Sequence, residues 1–121
     1  MKYMMLVCAD ESGELSPEEG AQIGPATDAW VEDLTRRGIR LDGGALRPVS
    51  DATTVSVRGG EVLLADGPFA ETKEQIAGYD IIDCADLDEA IEVASKHPTA
   101  WHGTIEVRPI AGNHCADADL T

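Results

Sequence analysis

Tyr3 to Cys8 is a short unbroken apolar run, closed by Ala9-Asp10-Glu11-Ser12-Gly13. Its length suits a strand buried on both faces rather than a helix. Ser16-Pro17-Glu18-Glu19 reads as a helix start: Ser16 caps, Pro17 loses nothing at the first helical position, and Glu19 reaches back to the Ser16 amide. Ile23, Ala26, Trp30, Val31 and Leu34 then form a one-sided apolar stripe, and Gly38 suits a left-handed stop after Arg36-Arg37. Gly24-Pro25 interrupts this pattern. An interior proline removes a hydrogen bond, so a kink is expected there, or a helix that begins near Pro25. Ile39 to Leu46 reads as a second strand, with Ile39 and Leu41 on one face. Thr53 to Arg58 and Glu61 to Ala65, joined by Gly59-Gly60, predict a hairpin with a tight primed turn. Gly78 to Cys84 is a further strand. Asp86 caps a second helix with the stripe Leu87, Ala90, Ile91 and Ala94, which Pro98 ends. Thr104 to Pro109 is the last strand, with Ile105 and Val107 on one face and Glu106 and Arg108 on the other.

These elements compose an α+β fold: a ferredoxin-like βαβ-hairpin-βαβ antiparallel sheet with both helices on one face. Alternation along the first strand places Tyr3, Met5 and Val7 on one side and Met4, Leu6 and Cys8 on the other. Both sides are apolar, and the helices cover only one. A second copy laid on the open face is the simplest cover, so a sheet-to-sheet homodimer is expected.

Charge narrows the partners. The chain carries 9 basic and 23 acidic residues in 121, a formal charge of −14. The two halves hold −4 (residues 1–60) and −10 (residues 61–121). Neither can neutralise a run of phosphates, so neither nucleic acid nor an anionic membrane is an expected partner. No apolar run approaches the ~20 residues of a membrane helix, and no signal peptide is expected, since only seven uncharged residues separate Lys2 from Asp10. Cys8, Cys84 and Cys115 show no paired spacing, which points to free thiols and a cytoplasmic location. At 12.8 kDa the chain is long enough to bury one core without a metal or disulfide staple.

The most unusual stretch is Asp66-Gly67-Pro68-Phe69-Ala70-Glu71-Thr72-Lys73-Glu74. The only Phe of the chain sits here in a turn, surrounded by three carboxylates, a hydroxyl and an ammonium. Asp66 and Glu71 are weak candidates for acid–base catalysis if the site is dry. The structural alternative is that Asp66-Gly67-Pro68 ends the hairpin strand while Phe69 plugs the core or dimer seam. Arg108 can receive an anionic ligand in a fork, or pair with Glu106. Tyr79 is either a core aromatic or a cleft-lining hydroxyl. His97 reads as a cation at the end of the second helix, and His102 as a loop residue. His114-Cys115 with Asp117 and Asp119 fits no structural zinc spacing, so no metal and no cofactor are expected. No Gly-rich phosphate loop, serine elbow or Cys-x-x-Cys occurs.

The phrase DGPFAETKEQIAGYDIID, with the opening KYMMLV, the segment LDEAIEVASKHP and the ending IEVRPI, resembles the YCII-related family, in its DGPF-motif branch. The likeness runs over residues 1–110, leaving 111–121 as an expected mobile tail. It implies a dimeric α/β barrel of ferredoxin-like protomers, cytoplasmic and largely without assigned biochemistry. Some relatives accompany extracytoplasmic-function sigma factors, which implies an accessory signalling role acting through protein contacts. In the wider family a His–Asp pair in the cleft, its histidine on the first helix, is a suggested active site; residues 16–37 here contain no histidine, so that pair does not carry over. The functional expectation is a dimer that binds a small molecule near the DGPF loop and the dimer interface. Arg108 and Lys73 would meet an anion there, with Phe69, Thr72 and Tyr79 lining the cleft.

Overall fold

The computed structural model describes residues 1–10, 13, 15–70 and 72–113. Eight regular elements follow in the order β1 (Lys2–Ala9), α1 (Pro17–Arg36), β2 (Arg40–Ala45), β3 (Thr53–Arg58), β4 (Glu61–Asp66), β5 (Gln75–Asp83), α2 (Leu87–Ser95) and β6 (Thr104–Pro109). Short 3-10 turns occupy Val49–Asp51 and Pro98–Trp101.

Ser16 opens α1: its hydroxyl accepts from the Glu19 amide at 3.1 Å and donates to the Glu19 carboxylate at 3.1 Å. Glu19 thus answers the serine hydroxyl, not the serine amide. The helix runs as one element through Pro25, correcting the expectation of a start near that residue. Ala21 and Pro25 both lie on the exposed side, where water can take the carbonyl that the proline leaves unpaired. Gly38, at φ 72°, stops the helix. Its amide reaches the Thr35 carbonyl at 3.1 Å and the Ile39 amide reaches Leu34 at 2.9 Å, the paired bonds of a Schellman stop.

β2, β5, β1 and β6 form one sheet in that order, every neighbour antiparallel. Each βαβ unit leaves a gap that a strand of the other fills, which is the ferredoxin-like arrangement. Tyr3, Met5 and Ile82 meet Trp30 and Leu34 of α1 and Ala90, Val93 and Ala94 of α2 in one core, so both helices share one face. Trp30 stitches them together, its indole N–H donating to the Val93 carbonyl at 3.1 Å. The α2 stripe holds at Ala90 and Ala94 and differs from expectation at Leu87 and Ile91. Leu87 and Ile91 are exposed, whereas Ala90, Val93 and Ala94 face inward, because small side chains let the helix lie close on the sheet. Leu41 is also exposed, since the β2–β5 register slips between Arg40 and Asp42.

On the other face the ladders align Met4 with Ile81, Leu6 with Tyr79 and Cys8 with Ile76. Arg108 and Glu106 flank Met4 and Leu6 from β6. β3 and β4 form a separate two-stranded sheet. Gly59 and Gly60, at φ 57° and 82°, make the expected primed turn. One side of this hairpin pairs Val55 with Leu64 and Val57 with Val62, and all four are exposed.

Candidate functional site

Among the described residues, two of the clefts that bring polar and apolar side chains together hold sequence candidates. The larger, of about 550 Å³, is bordered by Leu46, Pro48 and Val49 before β3, and by Pro68, Phe69 and Ile76 around the DGPF turn. The turn is built locally. β4 ends at Asp66, and Gly67 adopts φ 92°, which a side chain would oppose. The Gly67 amide donates to the Ala52 carbonyl at 2.7 Å, and its own carbonyl accepts from the Thr54 hydroxyl at 2.8 Å. This fixes the base of the hairpin and projects Phe69 outward, 92% exposed. The reading of Phe69 as a plug of the protomer's own core is therefore corrected: the left-handed glycine ahead of it turns the ring away.

The polar groups of this cleft are mostly used internally. Arg47 pairs with Asp51 at 2.7 Å. The Thr72 hydroxyl donates to the Glu74 carbonyl, and Gln75 Nε2 donates to the Thr72 carbonyl at 2.8 Å. What remains for a ligand is chiefly apolar surface. Ile76 belongs both to the cleft and to the open sheet face, where it stands opposite Cys8. Glu74 extends the same junction, accepting from the Thr104 hydroxyl at 3.0 Å. On that face burial, with the charges of Glu106 and Glu74, pushes the Cys8 thiol above its ordinary value.

The second cleft, of about 370 Å³, opens on the helix side between α1 and the edge of the sheet. Thr27, Asp28 and Val31 border it from the helix, Arg40 and Asp80 from the sheet, and His97 and Thr99 from the turn after α2. Arg40 Nε donates to Asp80 Oδ1 at 2.7 Å, both side chains being largely buried. Burial pushes the Asp80 carboxyl up, while the hydrogen bond and charge of Arg40 pull it partly back. His97 is buried, packs edge-on against Trp30 with ring centres 4.8 Å apart, and accepts the Thr99 amide on Nδ1 at 3.1 Å. Burial, then the charges of Arg40 and His102, hold its pKa below the ordinary value. Hence His97 is no cationic cap of α2; it is a neutral acceptor that opens the following turn.

The sequence candidates therefore divide. Phe69 and Thr72 share the larger cleft, with Asp66 close by at the end of β4. Tyr79 borders the smaller cleft. Arg108 stands on edge strand β6, exposed, and meets Glu106 at 3.5 Å, the internal ion pair that its spacing suggested. Lys73 borders neither cleft. Glu71 and the His114–Thr121 segment lie outside the described residues. Sequence reasoning missed the Arg40–Asp80 pair. Asp80, an acid among the apolar residues of β5, was the only signal for it, and the 40-residue separation from Arg40 hid the contact.

The opening strand β1 and the closing strand β6 pair side by side at one edge of the sheet, and the turn after β4 borders the larger cleft. A family model for the YCII-related domain matches residues 1–112. The chain belongs to the YCII-related family. An uncharacterized protein of Rhizobium meliloti (strain 1021) is 38% identical over 117 residues, covering 92% of this chain and 93% of the relative. The suggested histidine of the family's first helix has no counterpart on α1, whose cleft-facing residues are Thr27, Asp28 and Val31. No helix of the described residues is long and apolar enough to cross a membrane.

Proposed function

We propose that this YCII-related protein is a small-molecule-binding homodimer, in which the cleft at the DGPF turn receives the ligand and a second copy covers the open sheet face. The observation that carries this reading is Phe69, a large aromatic 92% exposed at the rim of an apolar cleft that joins the open face through Ile76. A solitary exposed aromatic gains nothing for the protomer's stability, while burying it against a ligand or partner contributes about 2–3 kcal/mol. Apolar contact dominates this site because its hydrogen-bonding groups already have internal partners. Thr72 stands at the polar rim with Lys73 next to it in the chain, outside the cleft lining, and Arg108 lies further along the open face.

Thermal denaturation against a broad metabolite panel tests the ligand. A binder should raise the melting temperature by at least about 3 °C at saturating concentration. Phe69→Ala, a change at a fully wet position, should keep the unliganded melting temperature and lose the rise. No stabilisation by any compound, or a rise that survives in Phe69→Ala, contradicts the site. A specific protein captured at low salt and released at high salt would instead favour an accessory role beside an extracytoplasmic-function sigma factor.

A further inference from the structure

The helix-side cleft holds hydrogen-bond donors that the fold leaves unused. His97 is only 5% exposed, and its Nδ1 is taken by the Thr99 amide. That bond assigns the neutral tautomer with its proton on Nε2. Nε2 has no protein partner among the described residues, and neither do the terminal guanidinium nitrogens of Arg40, whose Nε alone meets Asp80. No buried side-chain nitrogen or oxygen among the described residues lacks a partner, so these free donors reach solvent, and both residues border the same cleft. The backbone makes room for them. A Cβ on Gly43 would stand 2.6 Å from Asp80 Oδ1 and 2.7 Å from Arg40 Nη2, so only glycine lets the pair lie flat on β2.

A purely structural ion pair accounts poorly for this arrangement. β2 and β5 are already joined by their ladder, and a buried pair is seldom more stabilising than apolar residues of equal volume. We infer that the cleft is a binding site for a small monocarboxylate, gripped by the terminal guanidinium nitrogens of Arg40 and by the Nε2–H of His97. Arg40 offers the planar fork that fits a carboxylate, and the desolvated floor strengthens each bond. Asp80 beneath and Asp28 at the exposed mouth add negative charge, which repels a dianion such as phosphate about twice as strongly as a monocarboxylate. A volume of about 370 Å³ suits a ligand of a few to a dozen heavy atoms. This site is separate from the DGPF cleft and stands or falls independently of it.

The test is a titration of the protein with propionate, lactate and benzoate, against inorganic phosphate and acetamide as controls. The readouts are the His97 ring nitrogen shifts and, in a Trp101→Phe background, the fluorescence of Trp30, which touches the His97 ring. At least one carboxylate should give a saturable response and raise the His97 titration midpoint, while phosphate and acetamide give neither. Arg40→Lys and His97→Gln should each weaken binding at least tenfold. No saturable response to any carboxylate, an equal response to phosphate or acetamide, or undiminished affinity in both variants overturns the site. Should either variant fail to fold, the selectivity of the unaltered protein decides alone.

Discussion

His97 shows how a residue's surroundings overrule its ordinary chemistry. Its place after α2 suggested a cation at a helix end, yet the chain folds Trp30 and the Pro98–Trp101 turn over it, and a buried imidazole stays neutral. The linkage has a definite sign. As pH falls through 6.5 the unfolded chain takes up a proton that the folded His97 resists, so stability present above that pH is lost below it. Urea midpoints at pH 7.5 and 5.5 should therefore fall more for the unaltered protein than for His97→Gln; an identical fall in both would contradict a buried neutral ring. Cys84 gives a second prediction. Burial, reinforced by the charge and hydrogen bond of Glu89, pushes its thiol up to about 11. Alkylation at pH 8, located by mass spectrometry, should leave Cys84 unmodified in the folded protein and label it in urea. The burial of Cys84 could be read from its place on an apolar strand, but the surroundings of His97 could not, because they depend on what lies across the core rather than on neighbours in the chain.

Among the elements, local signals read well and non-local ones did not. Both helix caps, the Gly38 stop, the glycine turn of the hairpin and the in–out alternation of β6 were visible, since each is set within a few residues. The inward face of α2 was read correctly at Ala90 and Ala94 but misread at Leu87 and Ile91, which hydropathy favoured, whereas the close approach of helix to sheet is made by small side chains. Gly43 is another non-local position. Gly43→Ala should destabilise the fold by about 2–3 kcal/mol through its clash with the Tyr79 carbonyl and the Arg40–Asp80 pair. Gly44→Ala, where a Cβ meets nothing within 4 Å, should cost much less. Chemical denaturation of the two variants checks this; equal losses would show that the pair yields easily. The β3–β4 hairpin poses the opposite problem, an element whose apolar side touches no core. Leu64 is 69% exposed and Val62 64%. A two-stranded ribbon of this kind is marginal alone.

At the scale of the molecule, apolar surface among the described residues remains uncovered on the open sheet face, at the rim around Phe69 and on the flank of the hairpin. That the sheet would be greasy on both sides was already plain from Tyr3 to Cys8. The hairpin flank was not, because alternation within Thr53 to Ala65 predicts a hairpin without saying whether either side meets a core. A second copy can cover these surfaces only against the repulsion of two chains carrying −14 each. Moderate salt should therefore tighten the association, since screening over about 8 Å weakens the repulsion and leaves apolar contact intact. Leu64→Ser should leave the protomer folded and, if the hairpin joins the interface, weaken the dimer. Equilibrium sedimentation at micromolar concentration and physiological salt tests the central proposal most directly. The expected mass is twice the 12.8 kDa of the chain. A mass of one chain, unchanged as salt and concentration rise, would contradict it.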